Sequence, residues 1–194
     1  MNQIFLEIQK QLKKALGERR FEHTKGVMYT AASLAMCHGI SLNQAQLAGL
    51  LHDCAKAIPD IEKLERCKNY GIPISDVEKK NPSLLHAKLG AYLAREQYGV
   101  TDEEVLHAIS VHTTGEPDMN ILDKILFIAD YIEPNRDRQP NLEEVRRIAF
   151  EDLDRALEKI LYDTLKYLEH SNKKIDSMTK KTYDYYVAEG EVER

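Results

Sequence analysis

The sequence has only three cysteines, Cys37, Cys54 and Cys67, and no two of them form a Cys-x-x-Cys pair. An odd number of widely spaced cysteines fits free thiols in a reducing compartment, and it argues against a disulfide framework or a thiolate zinc site. Cys54 is disfavoured as a nucleophile because no pattern of nucleophile and base surrounds it. We therefore expect the cysteines to be packing residues.

Long apolar runs and an excess of basic residues are also absent. No run is long enough for a membrane-spanning helix, and the N-terminus lacks the apolar segment of a signal peptide. The net charge of −5 and the pI of about 5.8 provide no basic surface for long polynucleotides. The sequence thus predicts a cytoplasmic protein that binds neither membranes nor nucleic acid.

The alternation of apolar and polar residues that is typical of β-strands does not occur, and neither do repeats or low-complexity segments. Apolar residues recur instead at four-residue spacing, as at Ile8, Leu12 and Leu16 before Gly17, which indicates amphipathic helices. A hydrophobic fraction of 43% over 194 residues is enough for one buried core. We predict an all-α protein with one domain.

Glycines, prolines and capping residues predict the helix boundaries. One predicted helix opens at Ser41, contains His52 and Asp53 and ends before Pro59. Two others are predicted from Pro82 to Gly99 and from Val145 to Leu168. A final helix is expected over residues 177–188, with its tyrosines in the core or in an interface. We assign this C-terminal part to packing or to a homodimer.

The most informative feature is the His52-Asp53 doublet at the end of an apolar run, because unpaired histidines and one aspartate flank it. A single histidine on a helix is more often a core or capping residue than a ligand. Six residues together supply nitrogen and oxygen donors for two metal sites suited to divalent Fe, Mn, Co, Ni or Zn. The six candidates are His23, His52, Asp53, His86, His112 and Asp130.

The order of these residues resembles the HD-domain superfamily of metal-dependent phosphohydrolases, in which His86 and His112 look like the two further histidines of the two-metal members. Five segments resemble the YqeK family more closely. They are RFEHTKGV at 20–27, LHDCAK at 51–56, HAKLGA at 86–91, AISVHTTG at 108–115 and ADYIEPNR at 129–136. The resemblance implies an HD-type catalytic helical core over residues 1–140, on which residues 141–194 pack within the same domain.

The resemblance also implies a small nucleotide substrate. The expected reaction is metal-dependent cleavage of diadenosine tetraphosphate, or a related dinucleoside polyphosphate, symmetrically to two ADP. Two divalent ions are expected, with iron favoured over Mn, Co, Ni or Zn. One ion would take His23, His52, Asp53 and Asp130, the other would take His86 and His112, and Asp53 would bridge them. Paired ions suit displacement at phosphorus.

Phosphate-binding residues are expected next to these ligands. Lys56 follows Asp53 by three residues and so shares its helix face, while Arg136 follows the helix of Asp130 and has a planar fork that clamps phosphate. We expect Asp53, Lys56 and Arg136 to act in catalysis. Weaker substrate-binding candidates are Arg20, Thr113, Thr114 and Gly115, because hydroxyl and backbone donors are common in turns.

The remaining histidines, His38, His107 and His170, fall outside the matching segments, and helical periodicity turns His107 away from His112. Two alternative functions stay open: another HD-type nucleotide phosphohydrolase or phosphodiesterase, and a non-catalytic helical protein that binds nucleotide. No Gly-x-Gly-Tyr-Pro segment follows His112, which disfavours a cyclic-dinucleotide phosphodiesterase. The non-catalytic alternative is disfavoured because a structural metal needs fewer ligands.

Overall fold

The computed structural model describes residues 3–170 and 176–192. Within these ranges the regular structure is helical throughout, so the all-α prediction is confirmed. The α-helices are α1 (Gln3–Leu16), α2 (Glu18–Cys37), α3 (Leu42–Leu51), α4 (Asp60–Asn69), α5 (Asp76–Lys80), α6 (His86–Glu96), α7 (Glu103–Val111), α8 (Ile121–Ile132), α9 (Leu142–Ile148), α10 (Leu153–His170) and α11 (Ser177–Val192). A 3-10 helix (Pro82–Leu85) directly precedes α6.

The fold is built around a close crossing of α2 and α3. A Cβ atom on Gly49 of α3 would lie 2.7 Å from Cα of Met28 on α2, so only glycine lets the two backbones approach this closely. α8 packs against both helices, and α7 packs against α3 and α8. Leu50, Ile109 and Leu126 on these helices are completely buried. Five of the six ligand candidates lie on these four helices or directly after them.

The helix around the doublet is shorter than predicted. α3 ends at Leu51, and in the turns that follow, Cys54 and Lys56 donate backbone hydrogen bonds to carbonyls three residues back. The cause is local, because Nδ1 of His52 lies 2.7 Å from the Gly49 carbonyl that an α-helix would offer to the N–H of Asp53. The doublet therefore lies at a helix end and not inside a helix.

Two other predicted helices are each divided in the structure. The segment from Pro82 to Gly99 forms the 3-10 helix and then α6, and Nδ1 of His86 lies 2.6 Å from the Ser83 carbonyl where the two meet. The long helix predicted after Val145 is α9 followed by α10. Oδ1 of Asp152 accepts the N–H of Arg155 at 2.9 Å, so this aspartate caps α10 instead of continuing α9.

The C-terminal helices pack on the core, since α10 contacts α8 and α11 contacts α10. Tyr186 of α11 is buried, and its hydroxyl accepts the N–H of Met119 at 3.0 Å. Thr182 of α11 donates to the carbonyl of Thr114 at 3.3 Å. The last helix thus supports the loop after α7. None of the helices in the described ranges has the length and hydropathy for a bilayer crossing.

Candidate metal centre

The carboxylate of Asp53 lies at the middle of the candidate centre, and its side chain is almost completely buried. Its Oδ2 atom is 3.5 Å from Nε2 of His52 and 3.7 Å from Nε2 of His23. Its Oδ1 atom is 3.3 Å from Nε2 of His86 and 4.0 Å from Nε2 of His112. Each carboxylate oxygen therefore faces a different pair of histidines, as a bridging ligand would.

Three of these histidines are residues at which helices end. His52 follows α3, His86 follows the 3-10 helix, and His112 follows α7. Their Nδ1 atoms lie 2.7, 2.6 and 2.7 Å, respectively, from the carbonyl oxygen three residues earlier. A helix end leaves carbonyls without backbone partners, so each imidazole donates Nδ1–H to one of them. Nε2 is thereby left to face Asp53.

His23 and Asp130 complete the half of the centre that faces Oδ2 of Asp53. His23 lies within α2, and its Nε2 atom is 3.1 Å from Oδ1 of Asp130. One ligand atom from each of His23, His52 and Asp130 lies within 4.8 Å of the others, and the same holds for His52, Asp53 and His112. These two groups share His52, and the second group contains the central carboxylate itself.

Two buried imidazole nitrogens indicate whether the side chains of the centre can bind a metal ion. Nε2 of His23 and Nε2 of His52 are buried without a hydrogen-bond partner. Leaving one such atom unpaired costs about 1–3 kcal/mol, and ligation of a cation would remove that cost. Imidazole nitrogens and carboxylate oxygens together suit divalent first-row metals. The residues present therefore fit a metal of this class.

The charge states of four ligands also favour metal binding, whereas the carboxylates of Asp53 and Asp130 outweigh burial and raise the pKa of His52. Burial lowers the pKa of His112 to about 4 and holds the pKa of His86 well below its ordinary value. Both imidazoles are therefore neutral near pH 7, which is the form that binds metal. Burial acts to raise the pKa of Asp53, but His52, Lys56 and His86 together outweigh burial and hold this pKa well below its usual range. Asp130 is kept ionised in the same way by its neighbouring histidines.

Three of the predicted substrate-binding residues lie directly around the ligands. Nζ of Lys56 is 3.7 Å from Oδ1 of Asp53 and 3.0 Å from Nε2 of His86. The hydroxyl of Thr113 is 3.2 Å from the same nitrogen of His86. Arg20 donates from Nη1 to Oδ2 of Asp53 at 2.9 Å. A cation therefore stands on each side of the central carboxylate.

Arg136 approaches the centre through Asp130. Its Nη2 donates to Oδ1 of Asp130 at 2.6 Å, and its Nε donates to the Asp130 carbonyl at 2.9 Å. A cavity of about 550 Å³ opens beside His23 and Arg136. Four arginines line it, Arg19, Arg20, Arg136 and Arg138, against three acidic residues. A cavity of this size with net positive lining suits a small anionic ligand.

Thr114 and Gly115 contact α11. The carbonyl of Thr114 accepts a hydrogen bond from Thr182, and its hydroxyl donates to the carbonyl of Gly115 at 3.1 Å. Gly115 has a φ of 63°, and a Cβ atom there would lie 2.8 Å from Cγ2 of Thr182. These two residues shape the loop against the last helix, whereas Thr113 lies at the centre.

The three histidines excluded by sequence lie elsewhere. Nδ1 of His107 is 3.0 Å from Oδ2 of Asp123, and its Nε2 is 2.9 Å from Oε1 of Glu116. Carboxylates at both ring nitrogens favour the protonated imidazole, although one ligand atom from each of these three residues also lies within 4.8 Å of the others. Nε2 of His38 lies 2.8 Å from a backbone carbonyl after α9, and His170 is exposed.

The cysteines are free thiols, as predicted. Cys54 is buried beside the doublet, with its Sγ donating to the carbonyl of Gly90 at 3.4 Å. Burial raises the pKa of its thiol to about 12, which keeps the sulfur protonated. Cys54 is therefore a packing residue and not a nucleophile.

Glu133 is a residue of the centre for which no role was predicted from the sequence. It is buried, and its Oε1 atom lies 3.1 Å from Nδ1 of His23. A side-chain partner for His23 could have been inferred from its predicted position inside a helix. Backbone carbonyls there are already hydrogen-bonded, so the imidazole needs a side-chain acceptor.

Comparison with known proteins decides the family. The model of the HD domain matches residues 20–135, which is more than half of the chain. The chain belongs to the HD domain family. Membership implies binding of a divalent metal, in agreement with the donors around Asp53.

Several relatives align with this chain over more than 90% of both lengths. A Halalkalibacterium halodurans protein named symmetrical bis(5'-nucleosyl)-tetraphosphatase is 42% identical over 178 residues, which cover 92% of this chain and 94% of the relative. A Bacillus subtilis protein of the same name is 40% identical, with coverage of 91% and 94%. A crystal structure from Clostridium acetobutylicum, described as a predicted HD superfamily hydrolase involved in NAD metabolism, matches with a TM-score of 0.92 at 39% identity, covering 95% of this chain and 97% of that one. The predicted family resemblance is confirmed.

Proposed function

We propose that this protein hydrolyses diadenosine tetraphosphate symmetrically to two ADP and accepts related dinucleoside polyphosphates. The main support is the position of Asp53 between two pairs of histidines. It occurs in a chain that aligns with 94% of the length of relatives named for this activity. Lys56 and Arg20 add positive charge on both sides of that carboxylate, where a polyphosphate would need it.

The metal assignment is part of the proposal. We assign one divalent ion to His23, His52, Asp53 and Asp130 and a second ion to Asp53, His86 and His112. Iron is the favoured metal, with Mn, Co, Ni and Zn as alternatives, since this donor set accepts all of them. When bound, a pair of such ions supplies charge that stabilises both the attacking and the leaving oxygen at phosphorus.

In this proposal, the basic side chains determine which phosphorus of the polyphosphate lies at the metal centre. Arg20 and Arg136 pair with the carboxylates of Asp53 and Asp130, and metal ligation of those oxygens would release both guanidinium groups for phosphate. The cavity beside His23 has the volume to accept one nucleotide half of the substrate. Lys56 lies on the side of His86, where it would contact phosphates of the other half. In this proposal, a β-phosphorus would lie over Asp53.

The product pair tests the proposal. Metal-loaded protein should be incubated with diadenosine tetraphosphate in water enriched in heavy oxygen, with NAD, ATP and a cyclic dinucleotide in parallel. We expect ADP as the sole nucleotide product, with the heavy oxygen on its terminal phosphate. Formation of AMP plus ATP would contradict the symmetrical cut. Rapid turnover of a parallel compound without turnover of the tetraphosphate would contradict the substrate.

A further inference from the structure

His23 is oriented differently from the other three histidines of the centre. His52, His86 and His112 lie at helix ends and donate Nδ1–H to free backbone carbonyls. His23 is the sixth residue of the twenty-residue helix α2, where the carbonyls are used by the helix itself. Its Nδ1 needs another acceptor, and that acceptor is the Glu133 carboxylate at 3.1 Å.

The carboxylate of Glu133 is held on both oxygens. While Oε1 faces His23, Oε2 accepts the backbone N–H of Asn135 at 2.8 Å and its Nδ2 at 3.1 Å. Arg146 holds the same segment by donating to the carbonyl of Ile132 at 2.9 Å and to that of Glu133 at 3.1 Å. Only 1% of the surface of Glu133 is exposed, so its side chain cannot turn to another hydrogen-bond partner.

Gly26 makes the space that this carboxylate occupies. It lies three residues after His23 on α2, and a Cβ atom there would overlap the carboxylate of Glu133. A buried acidic side chain is expensive unless it is hydrogen-bonded. The helix α2 therefore lacks a side chain at the one position that lets Glu133 reach His23.

We propose that Glu133 is a positioning residue that selectively strengthens one half of the metal centre. By accepting Nδ1–H it fixes the ring of His23 with Nε2 toward Asp53 and Asp130, and it makes that imidazole a stronger donor. The metal held by His23, His52 and Asp130 is thereby bound more tightly than the metal held by His86 and His112, whose imidazoles donate to neutral carbonyls. This inference rests on the proposed metal assignment but not on the identity of the substrate.

Metal binding tests the inference without any activity assay. Wild type, Glu133→Gln and Glu133→Ala should be loaded with Mn²⁺, titrated with a competing chelator and analysed for metal equivalents. Glu133→Gln keeps the shape and an acceptor oxygen but removes the charge, whereas Glu133→Ala removes both. We expect one of the two equivalents to be bound about 10- to 100-fold more weakly, with the larger loss in Glu133→Ala and the other equivalent unchanged.

Glu116→Gln is the matched control, because Glu116 also contacts a histidine, His107, but away from the centre. It should bind metal as the wild type does. Unchanged affinity for both equivalents in the Glu133 variants would overturn the inference, and so would an equal loss of both. If the wild type binds a single equivalent, the paired-metal assignment fails, and weakening of that equivalent in Glu133→Gln still decides the role of Glu133. Circular dichroism would verify that each variant is folded.

Discussion

Nζ of Lys56 lies 3.0 Å from Nε2 of His86 and 3.7 Å from Oδ1 of Asp53. This places an ammonium group next to the carboxylate oxygen that faces His86 and His112. We expect Lys56→Ala to lower turnover about 10- to 1000-fold, the effect of losing one preorganised electrostatic contact, while metal content stays unchanged. Arg136→Ala should behave in the same way. Steady-state kinetics together with elemental analysis measure both effects.

Lys79 provides the matched control for Lys56. It pairs with Asp76 at the same three-residue spacing, at 2.8 Å, but on the exposed surface. Lys79→Ala should therefore change neither turnover nor metal content. Wild-type turnover and substrate affinity in both Lys56→Ala and Arg136→Ala would remove these two residues from the phosphate-binding site.

Asp53 is the ligand whose removal should cost the most metal. Because its two oxygens face different histidine pairs, Asp53→Ala removes a donor from both halves of the centre at once. We expect this variant to retain well under one of the two metal equivalents of the wild type, measured by elemental analysis. His107→Ala should retain nearly both. Two equivalents in Asp53→Ala, or full wild-type activity in strong chelator, would contradict a bridging role.

The parts of the site that were predictable from sequence are those with local causes. The His52-Asp53 doublet and the single histidines lie in recognisable segments, and Ser41 opens α3 as predicted, with its side chain accepting the N–H of Gln44. Three of the histidines end helices and bond to carbonyls only three residues away. Interactions of this range leave a signal in a short window of sequence.

The features that were missed depend on contacts between distant segments. Glu133 and His23 are 110 residues apart, so no local pattern relates them. The break between α9 and α10 depends on Asp152, which can continue one helix or cap the next, and tertiary packing decides between the two. The hydrogen bond from Thr182 of α11 to the carbonyl of Thr114 likewise joins residues that are 68 positions apart.

His107 makes stability depend on pH. Burial acts to lower its pKa, but Asp123 and Glu116 outweigh burial and raise the pKa above its ordinary value. The folded state therefore binds this proton more tightly than the unfolded state does. The stabilisation is complete below about pH 6.5 and is lost as pH rises through the higher folded-state pKa. The melting temperature of the wild type should exceed that of His107→Gln most at pH 6, and the difference should shrink toward pH 9. A difference independent of pH would show that His107 is neutral in the fold.

Gly26 and Glu133 should be coupled in stability. A Cβ atom on Gly26 would overlap the carboxylate of Glu133, so Gly26→Ala should destabilise the protein by about 1–3 kcal/mol, the usual cost of overpacking. In the Glu133→Ala background the carboxylate is gone, and the added methyl group should improve helix stability because alanine is the better helix former. The double variant should therefore be more stable than the sum of the single changes predicts.

Gly49→Ala separates this coupling from a general effect of filling space in α2 and α3. Its Cβ atom would meet the backbone of Met28, which truncation of Glu133 does not move, so its cost should simply add to that of Glu133→Ala. Urea unfolding of the single and double variants gives both coupling energies. The overlap at Gly26 is with the side chain of Glu133, whereas the overlap at Gly49 is with backbone. We therefore expect non-additive changes in the free energy of unfolding only in the double-mutant cycle of Gly26→Ala with Glu133→Ala. If the free energies of unfolding are additive in both double-mutant cycles, the side chain of Glu133 can move away from residue 26 with little loss of stability. Its hydrogen bond to His23 would then be too weak to orient a metal ligand.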